Sequence, residues 1–226
     1  MKRSEINRIL RETMAFLAEH RFVLPPFATW TPADWQGRGP EVDEIRDNLL
    51  GWDITDFGSG DFPRVGLVLF TLRNGSHLDP RYPKPYAEKI MVVRENQVTP
   101  RHFHHLKMED IINRGGGNLL IELHNATPEN DLARTPVTVS VDGLRRTVGP
   151  GEVLRLTPGE SITLPPRLFH RFYGEPGQGW VLVGEVSRVN DDRSDNLFHE
   201  PVGRFPAIVE DEPPAHYLCT EYPRAQ

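Results

Sequence analysis

The residues best suited to chemistry lie in Arg101-His102-Phe103-His104-His105-Leu106-Lys107-Met108-Glu109 and, far along the chain, in Pro165-Pro166-Arg167-Leu168-Phe169-His170. His102 and His104 are two positions apart, so on a β-strand both imidazoles leave the same face. Glu109 follows after four intervening residues, enough chain to leave the strand, turn and return a carboxylate to the same point. His170, from a distant strand, completes a set of three neutral nitrogens and one anionic oxygen around a divalent cation, with coordination positions left open. Such an open site serves catalysis. A cation there polarises a carbonyl and offsets the charge that develops when a neighbouring C–H proton leaves, as interconversion of an aldose and a ketose requires.

That reaction also needs a group to move a proton between carbons. Lys89 interrupts an otherwise apolar run, Ile90-Met91-Val92-Val93, on the strand preceding the histidine pair, and is one catalytic candidate. Glu185 is the other: it lies in Trp180-Val181-Leu182-Val183-Gly184-Glu185-Val186-Ser187, where a buried carboxylate must be paired or neutralised. Its side-chain parity is that of Val181, Val183 and Ser187. Glu200, from a later loop, is a rival for the base. The polar stretch from Arg188 to Asn196 and the segment after it place acids and arginines beside the mouth of the fold, and Asp195 and Arg204 are taken as contacts for substrate hydroxyls.

The elements that must position these groups can be read from periodicity. Ser4 is a candidate N-cap, and Ile6, Ile9, Leu10, Met14 and Leu17 recur at helical spacing up to about His20. Residues 22–39 are rich in proline and aromatics and drape over a core, with Trp30 and Trp35 packing there rather than lining a sugar pocket. Residues 40–50 predict a shorter helix stopped by Gly51, and residues 52–62 a polar-aromatic loop. From Val65 the pattern is β. Residues 65–72 are apolar on both faces, so one face belongs to a barrel interior and the other lies under the N-terminal segment or a partner subunit. Further strands are predicted at 89–93, around the histidine pair, at 118–124, at 137–141 and 144–148 about an Asp142-Gly143 turn, and at 152–156, 161–164, 168–172 and 180–187. Roughly ten short strands make an antiparallel jelly roll.

Composition bounds the function classes. The 226 residues suffice for one sizeable core, and 21 prolines with 19 glycines fit a chain that turns often. A net charge of -6, with basic residues scattered, excludes the electrostatic footprint of a nucleic-acid binder. Cys219 is the only cysteine, and no stretch has the length or apolarity of a signal peptide or membrane span, so the expected location is the cytoplasm.

His-x-His-x4-Glu with Gly116, followed by Gly159-x5-Pro165-x4-His170, resembles the paired motifs of the cupin superfamily, departing from them at Asn96, Arg167 and Gly174. The fold implied is an all-β cupin jelly-roll β-barrel with an N-terminal helical extension: residues 1–64 packed on the barrel, 65–188 forming it, and 189–226 as a C-terminal extension near its mouth. The amphipathic N-terminal helix, Ala87-Glu88-Lys89-Ile90-Met91, Arg101-His102-Phe103-His104, and Gly184-Glu185-Val186-Ser187 with Asn190-Asp191-Asp192 resemble, more narrowly, the D-lyxose isomerase family of cupins. This resemblance implies a manganese enzyme, with Co2+ or Fe2+ as substitutes, that interconverts D-lyxose and D-xylulose and often D-mannose and D-fructose, usually as a homodimer. It carries the ligand role to His102, His104, Glu109 and His170 and an active-site role to Lys89. A cupin Fe(II) dioxygenase and a non-catalytic sugar-binding cupin are the alternatives, separable by oxygen uptake and by the absence of turnover.

Overall fold

Side-chain alternation along single strands builds two cores at once. In β2 (Leu67–Arg73), Leu67 and Leu69 enter one apolar cluster with Met91, Ile111, Phe172 and Val183, while Val68 and Phe70 enter a second with Ile6, Ile9, Leu10 and Leu182. The first cluster is the barrel interior. The second seals the outside of the same sheet under α1 (Arg3–Glu19), so the N-terminal segment covers this outer face. The computed structural model describes residues 1–191 and 194–224; Asp192 and Arg193, read from the sequence as part of the polar stretch, lie outside the described residues.

The strands follow in order as β1 (Gly51–Thr55), β2, β3 (Tyr86–Val93), β4 (Thr99–His104), β5 (Glu109–Gly116), β6 (Leu119–Asn125), β7 (Val137–Val141), β8 (Leu144–Val148), β9 (Val153–Leu156), β10 (Ser161–Leu164), β11 (Leu168–Gly174), β12 (Val181–Arg188) and β13 (Asn196–Phe198). They form an eight-stranded sheet, ordered β1-β2-β3-β12-β5-β10-β7-β8, and a five-stranded sheet, ordered β13-β4-β11-β6-β9. Neighbours within each sheet are antiparallel, and the inner faces of both contribute to the first cluster. This is the cupin-type jelly roll expected, with an N-terminal helix laid on it.

Several boundaries differ from the sequence reading. Residues 52–62 are not all loop: Gly51–Thr55 is a buried edge strand whose polar groups find partners far along the chain, Asp53 in Arg204 and the Trp52 indole by donation to the Ala28 carbonyl. The helix predicted over residues 40–50 is shorter, a 3-10 turn at Pro40–Val42 and an α-helix α2 at Asp43–Asp47. Leu49 then turns left-handed at φ 51°, and Gly51 has φ 108° with space for no Cβ, since one would lie 2.0 Å from the Tyr222 hydroxyl. Ser4 is not an N-cap but the second residue of α1; its backbone N–H and hydroxyl both donate to the Asp211 carboxylate, which caps the helix from outside. Trp35 is buried and stacks on Tyr222, as its packing role requires. No described helix is long and apolar enough to cross a membrane.

On the outer face of the five-stranded sheet, Glu122 of β6 accepts hydrogen bonds from Arg101 of β4 and from Arg171 of β11, the latter at 2.9 Å from Nε. Burial opposes ionisation of Glu122, but the two guanidinium partners win and hold its carboxyl below the usual range. A carboxyl with a depressed folded-state pKa contributes stability above its unfolded pKa of about 4.3, and the contribution fades as pH falls through the folded value. Glu122→Gln is therefore expected to cost about 1–3 kcal/mol at pH 7. The check is thermal melting of both proteins across pH: the gap in Tm should be a few degrees at pH 7 and should close as the pH drops below about 4.

Candidate active site

β4 turns His102 and His104 into the barrel, and β11 brings His170 directly opposite His102 in the antiparallel register. Ring nitrogens of the three lie within 4.8 Å of one another, and all three residues are buried. Main-chain carbonyls set two of the tautomers. His102 Nδ1 donates to Pro100 O at 2.8 Å and His170 Nδ1 to Leu168 O at 3.0 Å, which leaves each Nε2 bare toward the interior. Burial, followed by the neighbouring imidazoles, pushes His102 well below its ordinary pKa; burial and then the Lys107 ammonium lower His104. Both rings are thus held neutral with lone pairs available.

Glu109, the first residue of β5, places Oε1 3.3 Å from His104 Nε2 and 3.2 Å from His170 Nε2. Neither contact has hydrogen-bonding geometry: Glu109 Oε1 and His170 Nε2 are buried without a hydrogen-bond partner. Orphaned acceptors are costly in a dry interior, and neutral imidazoles converging beside a carboxylate fit a divalent cation, which would satisfy all of them. The residues to hold it are His102, His104, His170 and Glu109.

Beside this cluster lies a chain of alternating charges. Lys107 Nζ is 2.8 Å from Glu109 Oε2 and 2.9 Å from Glu185 Oε1, and Lys89 Nζ is 3.3 Å from the same Glu185 oxygen. Burial alone would lower the Lys107 ammonium, but the carboxylates of Glu109 and Glu185 raise it above its ordinary range. Burial would likewise raise both carboxyls, yet the Lys107 ammonium holds Glu109 well below the usual range, and Lys107 and Lys89 lower Glu185. Asn190 Oδ1 accepts from Lys89 at 2.7 Å and from Lys107 at 3.3 Å.

Lys89 and Glu185 are direct partners in the β3–β12 register, so the parity read from sequence brings both to the same cavity as the histidines. Arg204 also lines that cavity and donates to Asp53 at 2.6 Å. Asp195 is placed otherwise: its carboxylate accepts from the backbone N–H groups of Leu106 and Lys107, at 2.7 and 3.0 Å, and is not part of the cavity wall. Glu200 is exposed and lies outside, in a cleft with Arg101 and Arg171. The sequence reading overlooked Lys107, Asn196 and Phe198 as cavity residues. For Lys107 a signal was present: it is the one acid or base in the spacer between the second histidine and Glu109 other than His105.

Two antiparallel sheets around buried histidines and a carboxylate define a cupin-type barrel whose three histidines could hold a metal ion. A family model described as D-lyxose isomerase matches residues 1–222. The chain is 58% identical over 225 residues to a D-lyxose/D-mannose isomerase of Serratia proteamaculans, covering 99% of each chain, and 55% identical over 223 residues to one of Escherichia coli, covering 98% of each. Among solved structures, an L-ribose isomerase of Cellulomonas parahominis shares the fold, with a TM-score of 0.61 at 17% identity over 92% of this chain and 98% of the other. The chain belongs to the D-lyxose isomerase family.

Metal-stripped protein is expected to gain thermal stability on titration with a divalent cation, by about 2.7 kcal/mol at a hundred times the dissociation constant. His170→Ala should abolish the gain; an equal shift in Tm for both proteins would show that the cation binds elsewhere.

Proposed function

We propose that the chain is an aldose–ketose isomerase that interconverts D-lyxose and D-xylulose, and D-mannose and D-fructose, with Mn2+ held by His102, His104, His170 and Glu109. Membership of the family and the names borne by the Serratia and Escherichia relatives support the substrate pair. The observation that carries the chemistry is the buried Glu185 carboxylate, kept ionised by two lysines and sharing a cavity with the histidines.

A bound divalent cation supplies a Lewis acid for the sugar's carbonyl oxygen. The chain's own residues do the rest. Glu185 takes the proton from C2 of the aldose, and the C2 electron pair moves to the C1–C2 bond as O1 takes a proton from the Lys89 ammonium, giving the enediol. The Lys89 amine then takes the O2 proton, the C2–O2 double bond forms, and Glu185 returns its proton to C1 to give the ketose, which restores both side chains. Lys89 and Lys107 limit the charge change at Glu185, and Lys89 hydrogen-bonds the reacting oxygens. Arg204, steadied by Asp53, reaches the hydroxyls at the far end of the chain of carbons. Apolar walls from Phe57, Leu69 and Phe198 limit water around the exchanging proton.

The family resemblance extends the reading to a homodimer. Its support is the part of the β3–β12 outer face that α1 leaves uncovered, where Tyr86, Met108 and Val186 are 43–45% exposed along one groove.

The test is ketose formation from D-lyxose and from D-mannose by protein stripped of metal and reloaded with Mn(II). Saturable turnover is expected, reduced roughly 10²-fold or more in Lys89→Ala and in Glu185→Gln with metal content unchanged. Absence of turnover in metal-loaded wild-type protein would overturn the assignment.

A further inference from the structure

Asn74 directly follows β2. Asn74 is buried, yet it is outside the cavity that holds the histidines, and lines a neighbouring polar pocket with Asn48 and Asn190. Its side-chain amide makes two bonds to the main chain of one residue: Nδ2 donates to Asn190 O at 2.9 Å, and Oδ1 accepts from Asn190 N at 3.0 Å. Asn48 Nδ2 in turn donates to Asn74 O at 3.3 Å. Among side chains only a carboxamide offers a donor and an acceptor in one plane, matched to the N–H and C=O of a single peptide residue.

Asn190 lies two positions beyond the end of β12, where the sheet ladder no longer fixes the main chain. Its own Oδ1 faces the other way and accepts from the ammonium groups of Lys89 and Lys107, both of which contact Glu185. One hydrogen-bonded relay therefore runs from Asn48 through Asn74 and Asn190 to the two lysines. We propose that Asn74 is a positioning residue of the isomerase: by clamping the Asn190 backbone it sets the place of Asn190 Oδ1, and through it the placement of both ammonium groups beside the Glu185 carboxylate. The proposal rests on the isomerase reading above. Its geometric sense is that a shift of about 1 Å in a catalytic group is enough to cost on the order of 10²-fold in rate.

The experiment uses full-length protein reloaded with Mn(II), with kcat and KM for D-lyxose, bound manganese and Tm measured for wild type, Asn74→Ala, Asn190→Ala and the double variant. Asn74→Ala and Asn190→Ala are each expected to lower kcat tenfold or more, with KM within twofold and manganese content unchanged. If Asn74 acts through Asn190, the double variant is no slower than Asn190→Ala alone. Should Asn74→Ala not fold, Asn74→Asp takes its place, because the carboxylate keeps the acceptor for Asn190 N–H and loses only the donor; kcat should again fall. The proposal is overturned if either single variant keeps kcat within twofold of wild type, if the losses multiply in the double variant, or if the loss appears in KM or in Tm with kcat per bound manganese unchanged. A wild-type protein without turnover sinks the isomerase reading itself, and this proposal with it, before any variant is compared.

Discussion

Everything in the barrel answers to the cost of keeping Lys107 dry. Its side chain is 2% exposed, as is that of Glu109, and Lys89 and Glu185 are only slightly more accessible at 4% and 6%. Transfer of one such ion from water into the protein costs several kcal/mol even after relaxation. The arrangement Glu109, Lys107, Glu185, Lys89 places an opposite charge beside every member, so the desolvation cost is offset within the group. Taking away either inner member, Lys107 or Glu185, leaves an end member, Glu109 or Lys89, buried without its opposite charge. His102 and His104 are held neutral by the same dry surroundings, so one physical condition acts on the imidazoles and on the row of charges beside them.

A dry interior has to be walled on its outside as well. The eight-stranded sheet buries Val68, Phe70, Ile90, Val92 and Leu182 on its outer face against Ile6, Ile9 and Leu10 of α1. At about 25 cal/mol per Å2 of apolar surface, such contacts are what hold α1 to the sheet. The C-terminal segment then ties the helix down. Arg3, itself buried, pairs with Glu210 and Glu221, and Val209 exchanges backbone hydrogen bonds with Met1 and Arg3. The two ends of the chain form one belt around the sheet that carries Lys89 and Glu185.

Most of the site was legible because strand parity is a strict rule. Two residues of separation put His102 and His104 on one face, and the same rule placed Glu185 with Val181 and Val183, all of which the structure turns inward. The motif positions where glycine is replaced are equally consistent: Asn96 and Arg167 sit at φ 56° and 63°, so the left-handed turns persist without glycine. What failed was anything set by a partner distant in sequence. β1 reads as a polar loop because its Asp53 is paid for by Arg204, 151 residues away. β13 lies past the last predicted strand, in the segment expected beside the mouth of the fold, yet Phe198 pairs in register with His102 and packs on its ring. Asp195, expected to contact substrate hydroxyls, has its carboxylate bonded to the turn that carries Lys107, 88 residues upstream.

The spacing of the ligand motif follows from the division of labour between the sheets. His102 and His104 belong to the five-stranded sheet, whereas Glu109 opens β5 of the eight-stranded one, so the chain crosses the interior between them. Facing sheets stand about 10 Å apart, and five residue steps reach at most roughly 17 Å when extended. The crossing therefore uses more than half of its reach. Asp195 removes the slack that remains by accepting the N–H groups of Leu106 and Lys107. Lys107 is buried between Glu109 and Glu185 on the short segment that joins β4 to β5, so the crossing that returns the Glu109 carboxylate to the imidazoles also carries the ammonium inside.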